Sequence, residues 1–343
     1  MKALVLERPG EIPEFSLEER DIPDIGTSDV LIDIAACGIC YHDILVMQGV
    51  LRRGVKDKVV LGHEISGTVS AVGDQVTKFS IGDKVVSIFT EPCGSCGYCL
   101  IDMEQRCENG RGIGHRIDGG FAENVVLNQN ALVKIDRNAD LIQASIYGCP
   151  IGVAYNAIVE VALLKSGEKI LITGAGGGLG VHSIQIAKAV GADVFAVTTS
   201  PDKYDRISNL GVDQLILSEP ELDFSEIVMA LSEDKGMDVV VENVAGQTFL
   251  KSFKSLSQFG RMVIVGAIDE SKIDLSPAEL IFRDAHLMGT GGCTRRQLSE
   301  IANMVKQGRI EPIISKAYEL GEVLDAYKSM RNKETFGRIA LIP

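Results

Sequence analysis

The sequence predicts an α/β protein in two parts: a mostly-β, loop-rich first half to about residue 150, then a doubly wound parallel sheet. Three observations predict this. Short apolar runs broken by Gly, Pro and Asp fill the first half, and strand and helix patterns alternate strictly from about Glu168. A chain of 343 residues also has material for roughly two domains at about 150 residues each. Composition agrees, since 45% apolar residues with only 10 prolines exclude a disordered or fibrous chain.

In the first half, Val30 to Ala36, Val59 to Leu61, Gly67 to Val72 and Lys84 to Ile88 read as strands, with Gly82-Asp83 as a turn between two of them. The second half reads strand Lys169 to Thr173, helix Leu179 to Val190, strand Asp193 to Thr199, helix Tyr204 to Leu210 and strand Gln214 to Leu217. It continues with helix Glu226 to Leu231, strand Met237 to Val241, helix Phe249 to Leu256 and strand Arg261 to Val265. Such alternation predicts βαβ units and parallel strands covered on both faces. In the first helix Leu179, Ser183, Ile186, Ala187 and Val190 share one face, small or apolar as packing on a sheet requires. A helix near Glu322 to Ser329 and a strand near Arg338 to Ile342 close the chain.

Charge narrows the partners. With 34 basic against 47 acidic residues the net charge is −13, which argues against duplex nucleic acid or an anionic membrane, both of which need a basic face. No run reaches the roughly 18 apolar residues of a membrane span. The start, Met1 to Phe15, lacks the apolar core of an export signal, so the expected location is the cytoplasm. Eight cysteines in that setting read as metal ligands or reduced core thiols.

Strand Lys169 to Thr173 runs through Gly174-Ala175-Gly176-Gly177-Gly178-Leu179-Gly180 directly into a helix. Glycines there allow the tight turn and let backbone N–H groups and the helix N-terminus approach a pyrophosphate, so the loop is read as a dinucleotide site using Gly176, Gly177, Gly178, Leu179 and Gly180. An NAD site would place an acid at the end of the next strand. Here that end is Thr198-Thr199-Ser200-Pro201-Asp202-Lys203. Hydroxyls at Thr198, Thr199 and Ser200 with the Lys203 cation suit a 2′-phosphate, which favours NADPH; Asp202 keeps NADH open, and Lys203 could equally be a solvated helix-start lysine.

Cys93-x2-Cys96-x2-Cys99-x7-Cys107 supplies four thiolates from one short loop, the donor set of a closed, structural zinc site. Two disulfides, free thiols or an iron–sulfur centre are the alternatives. Cys37, Cys40, Cys149 and Cys293 and the histidines say little by spacing alone.

The strings Cys37-Gly38-Ile39-Cys40-Tyr41-His42-Asp43, Gly62-His63-Glu64, Phe79-Ser80-Ile81-Gly82-Asp83-Lys84-Val85, the cysteine knot, Asp118-Gly119-Gly120-Phe121-Ala122-Glu123 and the glycine loop occur in the order seen in the zinc-containing medium-chain dehydrogenase/reductase family, the alcohol dehydrogenase relatives. The chain resembles that family over essentially its whole length. The resemblance implies a GroES-like catalytic domain over residues 1–149, a Rossmann cofactor domain over 150–290, and a return of 291–343 to the catalytic domain. It implies catalytic zinc ligands Cys40, His63 and Cys149, with Glu64 as an occasional fourth and Asp43 orienting His63. It further implies that Arg338 reaches the cofactor pyrophosphate, that Val265-Gly266 lies near the nicotinamide, and that the chain forms a homodimer or homotetramer. Three ligands and one exchangeable position make a Lewis-acid site for hydride transfer to or from a small-molecule substrate.

The chain departs from the family where its alcohol dehydrogenases carry a proton relay: a Ser or Thr is replaced by His42, and a terminal His by Leu45. His42 is then either a direct proton donor or a residue lining the cleft. The Cys-Tyr-basic-Asp run at 40–43 and Thr-Thr-Ser-x-x-Lys also resemble archaeal acryloyl-coenzyme A reductases of the family, which implies NADPH-dependent reduction of a short enoyl-CoA. Arg52, Arg53, Lys56 and Lys58 would meet the phosphates of coenzyme A or simply face solvent. The alternatives are a zinc alcohol dehydrogenase or aldehyde reductase, and a redox-inactive NADPH-binding protein.

Overall fold

The computed structural model describes residues 1–219, 221–268 and 271–343. The chain forms two compact units, one of Met1–Gly152, Gly292–Gln307 and Ile314–Pro343, the other of Val153–Gly291 and Gly308–Ile313.

The first unit is built on a seven-stranded mixed sheet. Its order runs Ile314–Glu319, Arg338–Ile342, Asp29–Gly38, Glu64–Val72, Lys84–Ser87, Leu132–Lys134, with Asn124–Asn128 also pairing to Asp29–Gly38. The long strand Asp29–Gly38 is the hub: Gly38 pairs with Glu64 on one side and with Ala340 on the other. Three strand ends that are far apart in sequence are thereby brought together. Gly38 is required there, because a Cβ would fall 2.1 Å from Glu64 Oε2. Lys2–Arg8 and Glu14–Glu19 form a separate antiparallel hairpin that the sequence pattern had not revealed.

Two expectations about strands are corrected. Val59 to Leu61 is buried but makes a single bridge, Val60 to Val5, rather than a strand; a short buried apolar run reads the same way in either case. In the second unit the helix ends at Lys254, and Leu256 opens the strand Leu256–Ile264 opposite Met237.

The second unit is a six-stranded, wholly parallel sheet in the order Gln214–Leu217, Asp193–Thr198, Lys169–Ile172, Met237–Glu242, Leu256–Ile264, His286–Gly289. Val239, Val240 and Val241 are all buried, as a strand covered on both faces demands. Leu171, Phe195, Phe224, Val240 and Phe253 belong to one core cluster; burying each such side chain contributes about 1.5–3 kcal/mol. Strand order reverses between Lys169–Ile172 and Met237–Glu242, the switch point where doubly wound sheets bind ligands. Gly308–Ile313 belongs with this unit, against the expectation that 291–343 returns as one piece. Gln185 bonds both backbone groups of Glu311 (2.9 and 2.7 Å), and His182 Nε2 accepts from Ile313 N at 3.0 Å. Among the described residues no helix is long and apolar enough to cross a membrane.

Candidate active site and cysteine centre

The four cysteines of the knot converge. One Sγ each from Cys93, Cys96, Cys99 and Cys107 lies within 4.8 Å of the others, with Cys96 3.5 Å from Cys99 and 3.8 Å from Cys107. Bonds of about 2.3 Å to one tetrahedral ion put thiolates about 3.8 Å apart, so the residues fit a zinc ion. All eight cysteines are free thiols, which removes the disulfide alternative. Backbone N–H groups of Ser95 and Cys96 hold Cys93 down to about 5, toward the thiolate that binds metal.

A second cluster gathers Cys40, His63, Glu64 and Cys149, with ligand atoms again within 4.8 Å. Cys40 caps the helix Tyr41–Met47, where Asp43 Oδ2 accepts from the Cys40 N–H at 2.8 Å. His63 and Glu64 stand at the start of Glu64–Val72, and Cys149 sits in a wide π turn, Tyr147–Ile151. Cys40 and Cys149 Sγ are 3.8 Å apart, the edge a tetrahedral zinc site requires. Buried Asp43 Oδ1 lies 3.5 Å from His63 Nδ1, longer than a close hydrogen bond but near enough to fix the ring electrostatically. Burial opposes a charge on His63, yet Asp43 and Cys40 hold its pKa well above the ordinary value. Of the two thiols Cys40 ionises more readily, since Cys149 donates to it and Arg338 adds positive charge.

Arg338, expected at a cofactor pyrophosphate, lies against this cluster. Its Nη2 donates to Glu64 Oε1 at 2.7 Å and its Nε to Glu64 Oε2 at 3.2 Å, while Nη2 lies 3.6 Å from Cys40 Sγ and 3.8 Å from Cys149 Sγ. Burial pushes Glu64 up to about 7 despite that guanidinium. Glu64 therefore has a bidentate partner in Arg338.

His42 stacks edge-on to His63, ring centroids 5.3 Å apart, and lies 5.2 Å from His115. His115, which the sequence analysis missed, comes from the loop after the knot and bonds the Arg53 carbonyl at 3.0 Å. Three of the chain's five histidines thus meet; their scarcity was the available clue, but nothing in the spacing pairs 42 with 115. Burial, then His63, lowers the His42 pKa, and both His42 Nδ1 and His115 Nδ1 are buried without a hydrogen-bond partner. Cys37, buried beside Gly62 and Gly120, is a packing thiol.

In the second unit the glycine loop lies at the switch point. Gly174 takes φ +60°, and Gly180 packs so closely that a Cβ would fall 2.3 Å from the Gly174 carbonyl. Gly177 precedes the helix Gly178–Val190 without a side-chain cap, which leaves its first N–H groups for an anion. Thr198 ends its strand and accepts from the Ser200 N–H at 3.2 Å. The Lys203 stem crosses the loop, its Cδ 2.8 Å from where a Gly176 Cβ would be. Val265 and Gly266 N–H both donate to the Glu242 carbonyl (2.9 and 3.3 Å), which places them beside the switch point. The cradle fits a dinucleotide.

Two family models match the chain. Residues 26–137 match the alcohol dehydrogenase GroES-like domain and residues 178–307 the zinc-binding dehydrogenase domain. The acryloyl-coenzyme A reductase of Sulfurisphaera tokodaii is 34% identical over all of both chains. The chain belongs to the zinc-containing medium-chain dehydrogenase/reductase family. This family member is an oxidoreductase, and its described fold is the GroES-like plus Rossmann pair expected from the sequence. The acryloyl-coenzyme A reductase of Metallosphaera sedula is also 34% identical, over 99% of each chain, and an NAD-dependent alcohol dehydrogenase of Sulfolobus acidocaldarius is 30% identical over 99% of each. Among solved structures, AibC superposes with TM-score 0.92 at 32% identity, covering 100% of this chain and 96% of that one.

Proposed function

We propose that this dehydrogenase reduces a short enoyl-coenzyme A thioester with NADPH. The observation that carries the reading is the histidine at position 42, edge-on to His63 where family alcohol dehydrogenases keep a hydroxyl relay; the likeness to two acryloyl-coenzyme A reductases supports it. Reduction of an activated double bond needs hydride at the β-carbon, a proton at the α-carbon, and charge stabilisation at the thioester oxygen.

Cys40, His63 and Cys149 would hold a catalytic zinc and residues 174–180 a nicotinamide dinucleotide; when bound, these supply the Lewis acid and the hydride. Asp43 orients His63. Arg338 neutralises Glu64 and holds its carboxylate by two hydrogen bonds. His42 supplies the proton for the α-carbon, its partnerless Nδ1 being free of competing bonds in the resting site. Lys203, Thr198 and Ser200 select the 2′-phosphate.

A second reading, reduction of small aldehydes, is favoured by the basic loop. Lys56 pairs with Asp118 at 2.5 Å and Lys58 with Glu7 at 3.0 Å, so two of the four cations expected at coenzyme A phosphates are already neutralised. The deciding experiment is the initial rate of NADPH and of NADH oxidation with acryloyl-coenzyme A beside a short aldehyde at equal concentration. Faster thioester turnover with NADPH is expected; faster aldehyde turnover would replace the proposal with the second reading.

A further inference from the structure

Two features of the first unit are unused by the chemistry above: Cys293, a fully buried thiol, and Glu104, a carboxylate buried within the cysteine knot between Cys99 and Cys107. They lie at the two ends of one short segment. Glu104 Oε1 accepts from the Arg295 N–H at 2.7 Å and from Arg295 Nε at 3.4 Å. That N–H opens the helix Arg295–Lys306, whose end Thr294 and Gln297 close by a reciprocal pair of side-chain to backbone bonds. A carboxylate at a helix N-terminus satisfies an orphan donor and meets the positive end of the helix dipole. The knot is therefore tied to the helix by a charge-assisted, part-buried bond.

At the other end the Cys293 thiol donates to the Gly148 carbonyl at 3.1 Å, one residue before Cys149. Burial raises the Cys293 pKa, which keeps the thiol protonated as a donor. The space is closed on each side. A Cβ on Gly152 would fall 2.5 Å from Cys293 Sγ, and one on Gly148 would fall 2.0 Å from the Ser87 carbonyl. Gly292, at φ +80°, is pressed against Phe89 and Gln105, and the Phe89 ring packs edge-on to His63 at 6.2 Å. The turn held in this way is the irregular one: Tyr147–Ile151 is a π turn containing Pro150, which has no N–H to give, so the ordinary helical ladder does not fix where Cys149 points.

We propose that Gly292–Arg295 is a brace running from the cysteine knot to the π turn, and that Cys293 and Glu104 are positioning residues that hold the Cys149 thiolate in the metal-binding set. The inference rests on Cys149 being a metal ligand. It gives the four-cysteine centre a task beyond tying its own loop, since an ordered knot is what presents Glu104 to the helix end.

The test uses the full-length protein loaded with cobalt(II), whose d–d bands report ligand geometry and whose loss to a chelator is timed. Wild type is expected to bind two ions per chain, one released early and one, in the four-cysteine site, late. Cys293→Ala should speed early release by about 10- to 100-fold, as loss of an outer-shell partner does, and shift the d–d bands. Cys293→Ser, which keeps a donor to Gly148, should restore both. Glu104→Gln should speed the early ion in the same direction while the late ion stays. Wild-type release and spectra in both Cys293→Ala and Glu104→Gln would overturn the brace. Loss of the late ion alone in Glu104→Gln would overturn it too, reducing Glu104 to a local support. Should Cys293→Ala fail to fold, Glu104→Gln decides by the same readout. A wild-type chain that binds only the late, four-cysteine ion would overturn the Cys149 ligand assignment, and the brace with it, and is told apart by being seen before any substitution is made.

Discussion

Replacing Glu242 should damage the second unit in a graded way that its hydrogen bonds dictate. The carboxylate is fully buried at the end of Met237–Glu242. Its Oε1 accepts from Thr173 Oγ1 (2.7 Å), Val244 N (2.8 Å), Ala245 N (2.9 Å) and Thr248 Oγ1 (2.8 Å), and its Oε2 from Ser252 Oγ (2.5 Å). Every neighbour presents an N–H or O–H donor to it. In Glu242→Ala the Thr248 hydroxyl can fall back on the Ala245 carbonyl at 3.0 Å and the Thr173 hydroxyl on that of Val241 at 3.5 Å. The two backbone N–H groups and the Ser252 hydroxyl keep no acceptor. At roughly 1–3 kcal/mol for each buried unsatisfied donor, the loss is about 3–6 kcal/mol once partial relaxation is allowed. Glu242→Gln keeps Oε1 and its bonds, and Ser252 can turn to accept from the new amide. It forfeits only the charge assistance, about 1–2 kcal/mol. Urea unfolding followed by circular dichroism, with the midpoint and slope fitted separately, measures both. Equal losses in the two variants, or less than about 1 kcal/mol in Glu242→Ala, would refute the reasoning.

Arg338→Met should cost about 3–5 kcal/mol by leaving Glu64 buried without its countercharge, and Arg338→Met/Glu64→Met should recover most of it; a double variant no better than the single one would show that the pair is not the cause. Asp223 accepts from Ser225 N (3.1 Å) and Oγ (2.6 Å) at the start of the helix Phe224–Leu231. Burial would raise its pKa, but Ser225 and then Lys254 bring it below the ordinary value. Its contribution is therefore fully present above the unfolded value near 3.9 and is lost as pH falls through the lower folded one. Asp223→Ala should cost about 1 kcal/mol at pH 7 and nothing at the acid end of a stability–pH series. Gly176→Ala should displace the Lys203 stem and weaken NADPH binding more than NADH binding in fluorescence titrations; an equal loss would remove Lys203 from the 2′-phosphate site.

The glycine loop, the cysteine knot and the alternating second half were legible because each is a local property. A strand–glycine–helix run, four thiols on one loop and apolar periodicity need no knowledge of distant chain. The boundaries that failed, at Val59 to Leu61 and at Leu256, are places where a buried apolar stretch satisfies several backbone conformations and neighbouring chain chooses among them. That Cys40, His63 and Cys149 come together was expected only by resemblance, since they have no common period. Pairing in the first unit's sheet is what sets Gly38 opposite both Glu64 and Ala340, and so brings Arg338 onto Glu64.

What the sequence determined by itself is the chemistry available: soft ligands, a phosphate cradle, and a histidine where a hydroxyl is usual. What only the tertiary structure decided is which charges cancel. The buried Arg338 guanidinium lies against the buried acid Glu64, a pairing that nothing in the order of residues announces. Lys56 and Lys58 likewise find Asp118 and Glu7. His115 joins His42 from 73 positions further along the chain, because the loop after the knot bonds the loop that carries Arg53. Such long-range pairings are set by desolvation and packing, which depend on the whole fold and leave no periodic trace in the order of residues.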